Sequence, residues 1–328
     1  MMICKEDLRI VFFGTSDFGV PTLDSLIDNG FNIVGVVTKP DFFNKRKKQT
    51  ELTPVKEAAL KHNLPILQPT DLNDEEFISD LKALDGNIFI VIAYQMIPKE
   101  VFTIPTFGTF NIHASLLPDY RGAAPINWAI ANGEERIGLT SFFINEKMDD
   151  GEIIYQMSLP NYTNKNFRFM YTALSISMCC CVCTETLRLI MESDGKPPTT
   201  KQDLSKYKHK APKLTRENTK LDFTKDIHEI FNHIKAFSDK PGAWCTIKSN
   251  DKYNGRAIKL IKCELISFGD RTSTNAGKFV ISEDGDVLLF VSNGCLKVRL
   301  LQIEGGIVIG KKDFSNGYGN IIGNWEIV

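Results

Sequence analysis

Short apolar runs alternate with amphipathic segments through the first third of the chain. The runs are continuous rather than alternating, which is typical of parallel strands buried on both faces. They are followed by segments of helical character near residues 20–29, 53–62 and 74–84. This order predicts a doubly wound α/β domain with a mostly parallel, Rossmann-like sheet. The predicted strands are Val11–Phe13, Ile33–Val37, Ile88–Ile92 and Thr109–His113.

The last third of the chain has a different pattern. A long helix predicted over 166–191 ends in a segment rich in Gly, Pro and Thr, and an amphipathic helix is predicted near 227–237. Short apolar runs separated by Gly, Asn and Asp then predict a small, OB-like β-barrel. We therefore predict a catalytic domain at 1–192, a linker at 193–213 and a barrel domain at 214–328.

Two polar side chains occupy the end of the strand predicted at Thr109–His113. Residues two apart project from the same face of a strand, so Asn111 and His113 are expected to share a pocket. Pro118 cannot continue a central strand, so the chain must turn away close to His113. Strand ends facing loops are where α/β sheets bind ligands, which favours a functional role over simple packing.

Several other classes of site are not indicated. The first turn, Gly14–Gly19, lacks both the G-x-G-x-x-G dinucleotide pattern and the Lys-Ser/Thr of a phosphate loop. Adjacent cysteines at 179–183 would face different sides of the predicted helix, so we interpret them as core residues and predict no metal.

Composition and charge indicate the cellular compartment and the kind of partner to expect. Hydrophobic residues make up 43% of the chain, and we expect no membrane-spanning run and no secretory signal. Eight cysteines without framework spacing favour a reducing cytoplasm. Residues 206–328 hold 20 Lys and Arg against 14 Asp and Glu, a net of +6, whereas residues 1–205 hold 19 against 26, a net of −7. The basic half predicts contact with an anionic partner, of which nucleic acid is the commonest.

With these motifs in hand, the chain resembles the folate-dependent formyltransferases. The resemblance runs nearly end to end and includes Asn111-x-His113, Ser115–Pro118, Arg121–Pro125 and Met148-Asp-x-Gly151. It is greatest to the members that act on methionine attached to initiator tRNA. It implies 10-formyltetrahydrofolate as formyl donor and co-substrate and initiator Met-tRNA as acceptor. We predict no stable protein partner.

The resemblance places Asn111, His113 and Asp149 at the catalytic positions. A carboxamide can stabilise the oxyanion that forms when an amine attacks the formyl carbon. An imidazole suits the proton transfer, and a neighbouring carboxylate can orient it and favour its charged form. Asp150 is the competing acid, but its position relative to Gly151 does not match the family.

Binding residues are also implied by the resemblance. The folate site is expected to include Ser115, Leu116, Leu117, Pro118, Ile92, Ala93, Tyr94 and Met96, with Gln95 standing where the family commonly has glycine. The tRNA-binding loop is expected to include Lys45, Arg46, Lys47 and Lys48, although Lys45 and Lys47 replace family glycines.

Three alternatives remain open on the sequence. The same catalytic trio can formylate an amino-sugar nucleotide, or water can replace the amine to give a formyltetrahydrofolate hydrolase. A non-catalytic nucleic-acid-binding protein would use the α/β domain only as a scaffold.

Overall fold

The computed structural model describes residues 3–44, 48–162, 164–238, 241–267, 276–291 and 293–327. Contacts divide the chain into two compact units. The first comprises residues 1–122, 136–159 and 171–210, and the second comprises residues 123–135, 160–170 and 211–328. The linear division at 1–192, 193–213 and 214–328 stays a prediction.

A seven-stranded sheet forms the centre of the first unit, in the order β10-β9-β7-β6-β1-β2-β5. Strands β1, β2, β5, β6 and β7 are parallel, and β9 is antiparallel to β7. The first ten strands are β1 (Arg9–Gly14), β2 (Asn32–Val37), β3 (Phe42–Asn44), β4 (Gln49–Glu51), β5 (Ile66–Leu67), β6 (Ile88–Ile92), β7 (Thr109–His113), β8 (Arg121–Gly122), β9 (Arg136–Phe143) and β10 (Ile153–Pro160), followed by β11 (Lys210–Ala211).

Helices connect these strands, and their ends follow local sequence rules. Thr53 caps the second helix by accepting from Lys56 N at 3.1 Å, and Asp74 caps the third by accepting from Glu76 N at 3.0 Å. The helices are α1 (Val20–Asp28), α2 (Pro54–Lys61), α3 (Glu75–Ala83), α4 (Lys99–Phe102), α5 (Pro125–Ala131), α6 (Phe167–Ala173), α7 (Cys180–Glu192), α8 (Ile227–Ala236), α9 (Lys311–Asp313) and α10 (Gly319–Ile322).

The continuous apolar runs are buried, as the pattern predicts. All five residues of β6 are buried, and Phe12 and Phe13 of β1 are inaccessible to solvent. Strand β7 lies between β6 and β9, so its carboxyl end opens beside the ends of β1 and β6. The predicted doubly wound, mostly parallel fold is confirmed.

The helix Phe167–Glu192, formed by α6, a π-helical turn at Leu174–Cys179 and α7, corrects one expectation. Within the described residues it alone is long and apolar enough to cross a membrane, so the expectation that no segment qualified was wrong by length and composition. Half of its apolar window is buried. Ser175 donates to Phe18 O at 2.8 Å and Thr186 to Ser141 Oγ at 2.6 Å. These contacts are those of a core helix.

The second unit contains an antiparallel barrel. Its strands run in the order β14-β15-β16-β13-β12-β18, with β17 on β16, and a bridge between Lys278 and Glu326 brings its two ends together. The predicted amphipathic helix is α8, which buries Ile227, Ile230 and Ile234. The strands are β12 (Ala243–Lys248), β13 (Ala257–Ser267), β14 (Phe279–Ile281), β15 (Val287–Val291), β16 (Gly294–Ile303), β17 (Val308–Gly310) and β18 (Glu326–Ile327). The predicted small barrel is confirmed.

Candidate active site

Strand β7 delivers an amide and an imidazole to one place. Asn111 lies opposite Val91 of β6 and Phe142 of β9, and His113 lies opposite Thr140. His113 is 7% exposed and Asn111 is half-buried. In the described part of the chain, the Asn111 carboxamide has no hydrogen-bond partner, so both of its donors are available to a bound molecule.

The His113 ring is held from one side and faces a carboxylate on the other. Its Nε2 is 2.8 Å from the Tyr120 carbonyl oxygen, and because a carbonyl only accepts, Nε2 must carry the proton. Its Nδ1 lies 3.8 Å from Asp149 Oδ2. A proton arriving at Nδ1 would therefore create an imidazolium next to the Asp149 carboxylate, which stabilises that charge.

Backbone contacts fix the position of Asp149. Its Oδ2 accepts from Gly122 N at 2.9 Å, and its own carbonyl accepts from Gln202 Nε2 at 2.8 Å. Gly151 packs so closely on β9 that a Cβ there would be 1.6 Å from the Phe143 carbonyl oxygen. Only glycine allows this approach, so the glycine of the Met-Asp-x-Gly motif has a steric role in placing Asp149.

The neighbouring acid makes a different set of contacts. Asp150 Oδ1 accepts from Arg121 Nη1 at 2.6 Å. The same guanidinium donates twice to Gln202 Oε1, at 2.6 Å and 3.1 Å. Asp150 is thus engaged in an ion pair with Arg121, whereas the acid beside the His113 ring is Asp149.

The predicted folate segment Ser115–Pro118 follows β7 directly. Ser115, Leu117 and Pro118 are buried, and Leu116 is half-buried. The peptide between Leu117 and Pro118 is cis. Because most of these side chains are buried, the groups that the segment can offer to a ligand are mainly backbone groups.

A threonine of β9 organises this segment. Thr140 Oγ1 donates to Ser115 O at 2.7 Å and accepts from Leu117 N at 3.1 Å and from Gln156 Nε2 at 2.8 Å. Gln156 also donates to Leu117 O at 2.9 Å. The sequence reasoning missed both residues. For Thr140, the sequence offered one signal: two adjacent hydroxyl residues, Thr140 and Ser141, interrupt the apolar run of β9.

The other predicted folate segment follows β6. Ile92 is buried at the strand end, Ala93 is exposed with φ of 52°, and Met96 is 68% exposed. Gln95 stands where the family commonly has glycine, a residue that readily adopts positive φ. In this described segment, positive φ falls on Ala93 instead, so Gln95 adopts no left-handed conformation.

Tyr94 carries a buried polar atom that no described residue satisfies. Its hydroxyl makes no hydrogen bond, while its ring packs edge-on against Phe13 with centroids 5.7 Å apart. Burial raises the pKa of the Tyr94 phenol to about 12, so it is neutral and can donate. An unpartnered buried hydroxyl costs about 1–3 kcal/mol, which points to a partner supplied from outside the chain.

A cavity of about 340 Å³ lies within the first unit, beside the segments that follow β5, β6 and β9. Of the predicted folate residues only Met96 lines it. An ion pair between Lys99 and Glu146, with Nζ and Oε1 2.5 Å apart, stands at its edge. The lining residues are Thr70, Asp71, Leu72, Asn73, Gln95, Met96, Ile97, Pro98, Lys99, Phe102 and Glu146.

The predicted tRNA loop falls between β3 and β4, which pair as a hairpin. Lys45, Arg46 and Lys47 lie outside the described residues. Lys48 is described, with φ of 50°. The structure therefore places Asp149 beside His113, puts Asn111 two residues earlier on the same strand, and leaves Lys45, Arg46 and Lys47 untested.

Two family models match most of the chain. The model described as formyl transferase matches residues 8–174, and the formyl transferase C-terminal domain matches residues 213–319. Curated relatives match over nearly their whole length. A methionyl-tRNA formyltransferase of Flavobacterium johnsoniae is 41% identical over 92% of this chain and 93% of its own, and one of Bacteroides fragilis is 36% identical over 92% of each.

Solved structures share the fold at low identity. HypX from Aquifex aeolicus, solved in complex with tetrahydrofolic acid, has a TM-score of 0.63 at 17% identity; the match covers 94% of this chain but only about half of HypX, at 48%. The sugar 3N-formyl transferase WlaRD, solved with dTDP and 5-N-formyl-THF, has a TM-score of 0.60 at 20% identity, covering 92% and 99% of the two chains. The sequence relatives match far more closely and end to end, and by them the chain belongs to the methionyl-tRNA formyltransferase family.

Proposed function

We propose that this enzyme transfers the formyl group of 10-formyltetrahydrofolate to the α-amine of methionine on initiator tRNA, with Asn111, His113 and Asp149 as catalytic residues. One observation carries the assignment. An unbonded carboxamide lies two residues from an imidazole whose Nδ1 is 3.8 Å from a fixed carboxylate. Formyl transfer to an amine requires these three kinds of group.

Each residue has a distinct task. The Asn111 carboxamide donates to the formyl oxygen as negative charge develops there. His113 Nδ1 accepts the proton that the attacking amine loses, and returns a proton to the folate nitrogen as its bond to the formyl carbon breaks. Asp149 stabilises the intervening imidazolium, and Tyr120 O holds the ring through Nε2.

We propose the 340 Å³ cavity as the place where the folate ring system binds. Its volume lies in the range of small-molecule sites, and it combines apolar side chains such as Ile97 and Phe102 with polar groups such as Asn73. Glu146 at its edge lies three residues before Asp149, so the cavity and the catalytic acid share one connection. The Tyr94 hydroxyl, which has no partner among the described residues, is a further candidate donor. The Ser115–Pro118 backbone and Ile92–Ala93 complete the predicted site.

The acceptor is proposed from the relatives. At 41% identity over 92% of the chain, the methionyl-tRNA formyltransferase of Flavobacterium johnsoniae supports a tRNA-borne amine more strongly than a sugar enzyme at 20% identity supports an amino sugar. We assign tRNA binding to Lys45, Arg46, Lys47, Lys48 and the barrel domain at 214–328, which together with residues 206–213 forms the basic half of the chain. Cytoplasmic location follows from this role in translation initiation. Independence from metal, membrane and stable protein partners stays a prediction.

One incubation separates the candidate activities. The enzyme is given 10-formyltetrahydrofolate with Met-initiator-tRNA, with an amino-sugar nucleotide, or with water alone, and formylated product and free formate are measured. We expect rapid formylation of Met-tRNA only. Preferential formylation of the sugar, or formate release independent of acceptor, would refute the proposed acceptor.

A further inference from the structure

Residues 119–122 contact both members of the proposed catalytic pair, His113 and Asp149. The Tyr120 carbonyl oxygen lies 2.8 Å from His113 Nε2, and Gly122 N donates to Asp149 Oδ2 at 2.9 Å. Tyr120 has φ of 58°, a left-handed conformation that non-glycine residues seldom adopt. Such a conformation persists only where surrounding contacts fix it. The position of this carbonyl therefore depends on what holds residues 119–122.

A segment of the predicted linker, residues 202–209, bonds to this stretch. Asp119 Oδ1 accepts from Lys208 N at 2.8 Å and from His209 N at 2.6 Å. Tyr120 N in turn donates to His209 O at 2.9 Å. Both segments belong to the first compact unit. They are thus bonded in both directions, next to the carbonyl that holds the imidazole.

The side chains at this contact also pack. The Tyr120 and His209 rings are stacked, with centroids 5.3 Å apart and planes inclined by 21°. Tyr120 is 4% exposed, and His209 Nδ1 lies 3.4 Å from Asp119 Oδ2. Because a carboxylate only accepts, Nδ1 of His209 carries the proton in this contact. Asp119 therefore orients the His209 ring, and the ring covers Tyr120.

Gln202 connects the same segment to the catalytic acid. Its Nε2 donates to Asp149 O at 2.8 Å and to Gly151 O at 2.9 Å. Its Oε1 accepts from the Arg121 guanidinium. Residues 202–209 therefore contact the groups that hold the carboxylate as well as those that hold the imidazole.

The bond to the Tyr120 carbonyl decides which nitrogen of His113 can act as a base. Nδ1 lies 3.8 Å from Asp149 Oδ2, and a carboxylate favours a proton on the nitrogen that faces it. A proton resident on Nδ1 would leave that nitrogen unable to accept one from the attacking amine. The carbonyl opposes this, because it keeps the proton on Nε2. A displaced carbonyl would therefore let the unproductive tautomer accumulate.

We propose that Asp119 and His209 are positioning residues, which act through Tyr120 to keep the His113 ring in the tautomer that accepts a proton at Nδ1. The inference rests on the proposed function and deepens it. It gives residues 202–209 a part in the chemistry, in addition to connecting the two halves of the sequence.

The test measures single-turnover formyl transfer in Asp119→Ala and His209→Ala, each beside a conservative variant. Asp119→Asn removes the charge but keeps an oxygen that can accept from the two backbone N–H groups, and His209→Phe keeps a ring that can stack on Tyr120. We expect each alanine variant to lose about fivefold or more in rate, as weakening one hydrogen bond predicts, with folate affinity unchanged. The asparagine and phenylalanine variants should stay close to the wild-type rate.

Nitrogen NMR of histidine-labelled protein reads the tautomer itself, without substrate. At about pH 8.5, above the ordinary imidazole range, the spectra report which nitrogen of His113 carries the proton, and His113→Ala identifies the signal. We expect Nε2–H in wild type and in the two conservative variants, and a mixture of tautomers in the alanine variants. A merely structural role would lower the Tm and leave the tautomer unchanged.

Two results would overturn the inference: a wild-type rate and tautomer in the folded alanine variants, or conservative variants as impaired as the alanines. If Asp119→Ala does not fold, the His209 variants decide, because they keep the backbone bonds of the segment. If wild-type enzyme does not formylate Met-tRNA, the proposed function fails, and the spectra still decide whether Asp119 and His209 position the ring. If it does formylate Met-tRNA and the tautomer is unaffected, only this inference fails.

Discussion

Adjacent carboxylates in the connection between β9 and β10 face different partners. Asp149 lies beside the His113 ring, and Asp150 pairs with Arg121. The two positions are therefore a natural pair for testing which acid acts in the reaction, because the same Asp→Asn change removes one negative charge at either site.

For Asp149→Asn we expect turnover to fall at least about tenfold, equal to about 1.4 kcal/mol of transition-state stabilisation. We also expect the acidic limb of the pH–rate profile to shift or disappear, because the imidazolium loses its neighbouring carboxylate. Asp150→Asn, measured in parallel, should keep the shape of the wild-type profile. A wild-type profile for Asp149→Asn would show that this acid is only structural.

A second substitution tests whether the Tyr94 hydroxyl contacts bound folate. It is buried and has no partner among the described residues, so removing it should not destabilise the free protein. We expect Tyr94→Phe to have an unchanged or higher Tm without ligand and about fivefold or more weaker folate binding, as loss of a hydrogen bond to a bound ligand predicts. Calorimetry on both proteins measures each quantity. Unchanged folate affinity would exclude the phenol as a ligand group.

At the level of single residues, the sequence predicted that Asn111 and His113 share a strand face, but it did not predict the contact that holds the His113 ring. That Asn111 and His113 lie on one face of a strand follows from strand periodicity, whereas their catalytic role stays a prediction. The Tyr120 carbonyl that holds His113 could not be foreseen, because it depends on a non-glycine residue with φ of 58°. Backbone carbonyls have no sequence signature, so such contacts appear only in the folded chain.

Helix α8 contains a half-buried titratable group, the imidazole of His233. The His233 ring packs against Phe237 with centroids 4.5 Å apart, and its Nε2 has no partner among the described residues. Desolvation lowers the pKa of His233 below its ordinary value. The unfolded chain therefore binds a proton more readily than the folded one as the pH falls below about 6.5.

His233 contributes its full stability above the unfolded pKa and loses it as the pH falls toward the folded pKa. The free energy of unfolding should thus decrease more between about pH 7.5 and about pH 5.5 in wild type than in His233→Gln, which cannot titrate. Urea titrations at both pH values measure the difference. Parallel losses in the two proteins would contradict the assignment.

Elements differed in how well the sequence predicted them. The helices α1, α2 and α3 and the strands β1, β2 and β6 match their apolar patterns closely. The strand β9 was not predicted, because Thr140 and Ser141 interrupt its apolar run although both are fully buried. The β3–β4 hairpin was also missed, since a run of lysine and arginine indicates a solvated loop. Local patterns fail where buried polar groups are satisfied by distant partners.

Across the whole chain, positive charge concentrates in residues 206–328, with a net of +6. If this half contacts the tRNA backbone, binding releases counterions and depends on salt. We expect the Michaelis constant for Met-tRNA to rise steeply with salt, while folate affinity changes little. Kinetics across a salt series, with each substrate varied in turn, measure both. A tRNA constant independent of salt would argue against a phosphate-binding role for the barrel.

The two compact units of the chain are each built from segments that are not continuous in sequence. Residues 123–135 and 160–170 group with residues 211–328, although they lie inside the catalytic half of the sequence. Within the second unit, Asn127 of α5 donates to Ala236 O of α8 at 2.7 Å. A contact between residues so far apart in sequence leaves no local pattern, so the grouping of α5 with α8 could not be predicted from sequence order.

We propose that Asn111 and His113 act directly on the transferred formyl group. This role is tested most directly by single-turnover formyl transfer from 10-formyltetrahydrofolate to Met-initiator-tRNA in wild type, Asn111→Ala and His113→Ala, with folate binding measured on the same samples. We expect each variant to lose at least about tenfold in rate while its folate affinity is largely kept. Wild-type rates in either folded variant would contradict it.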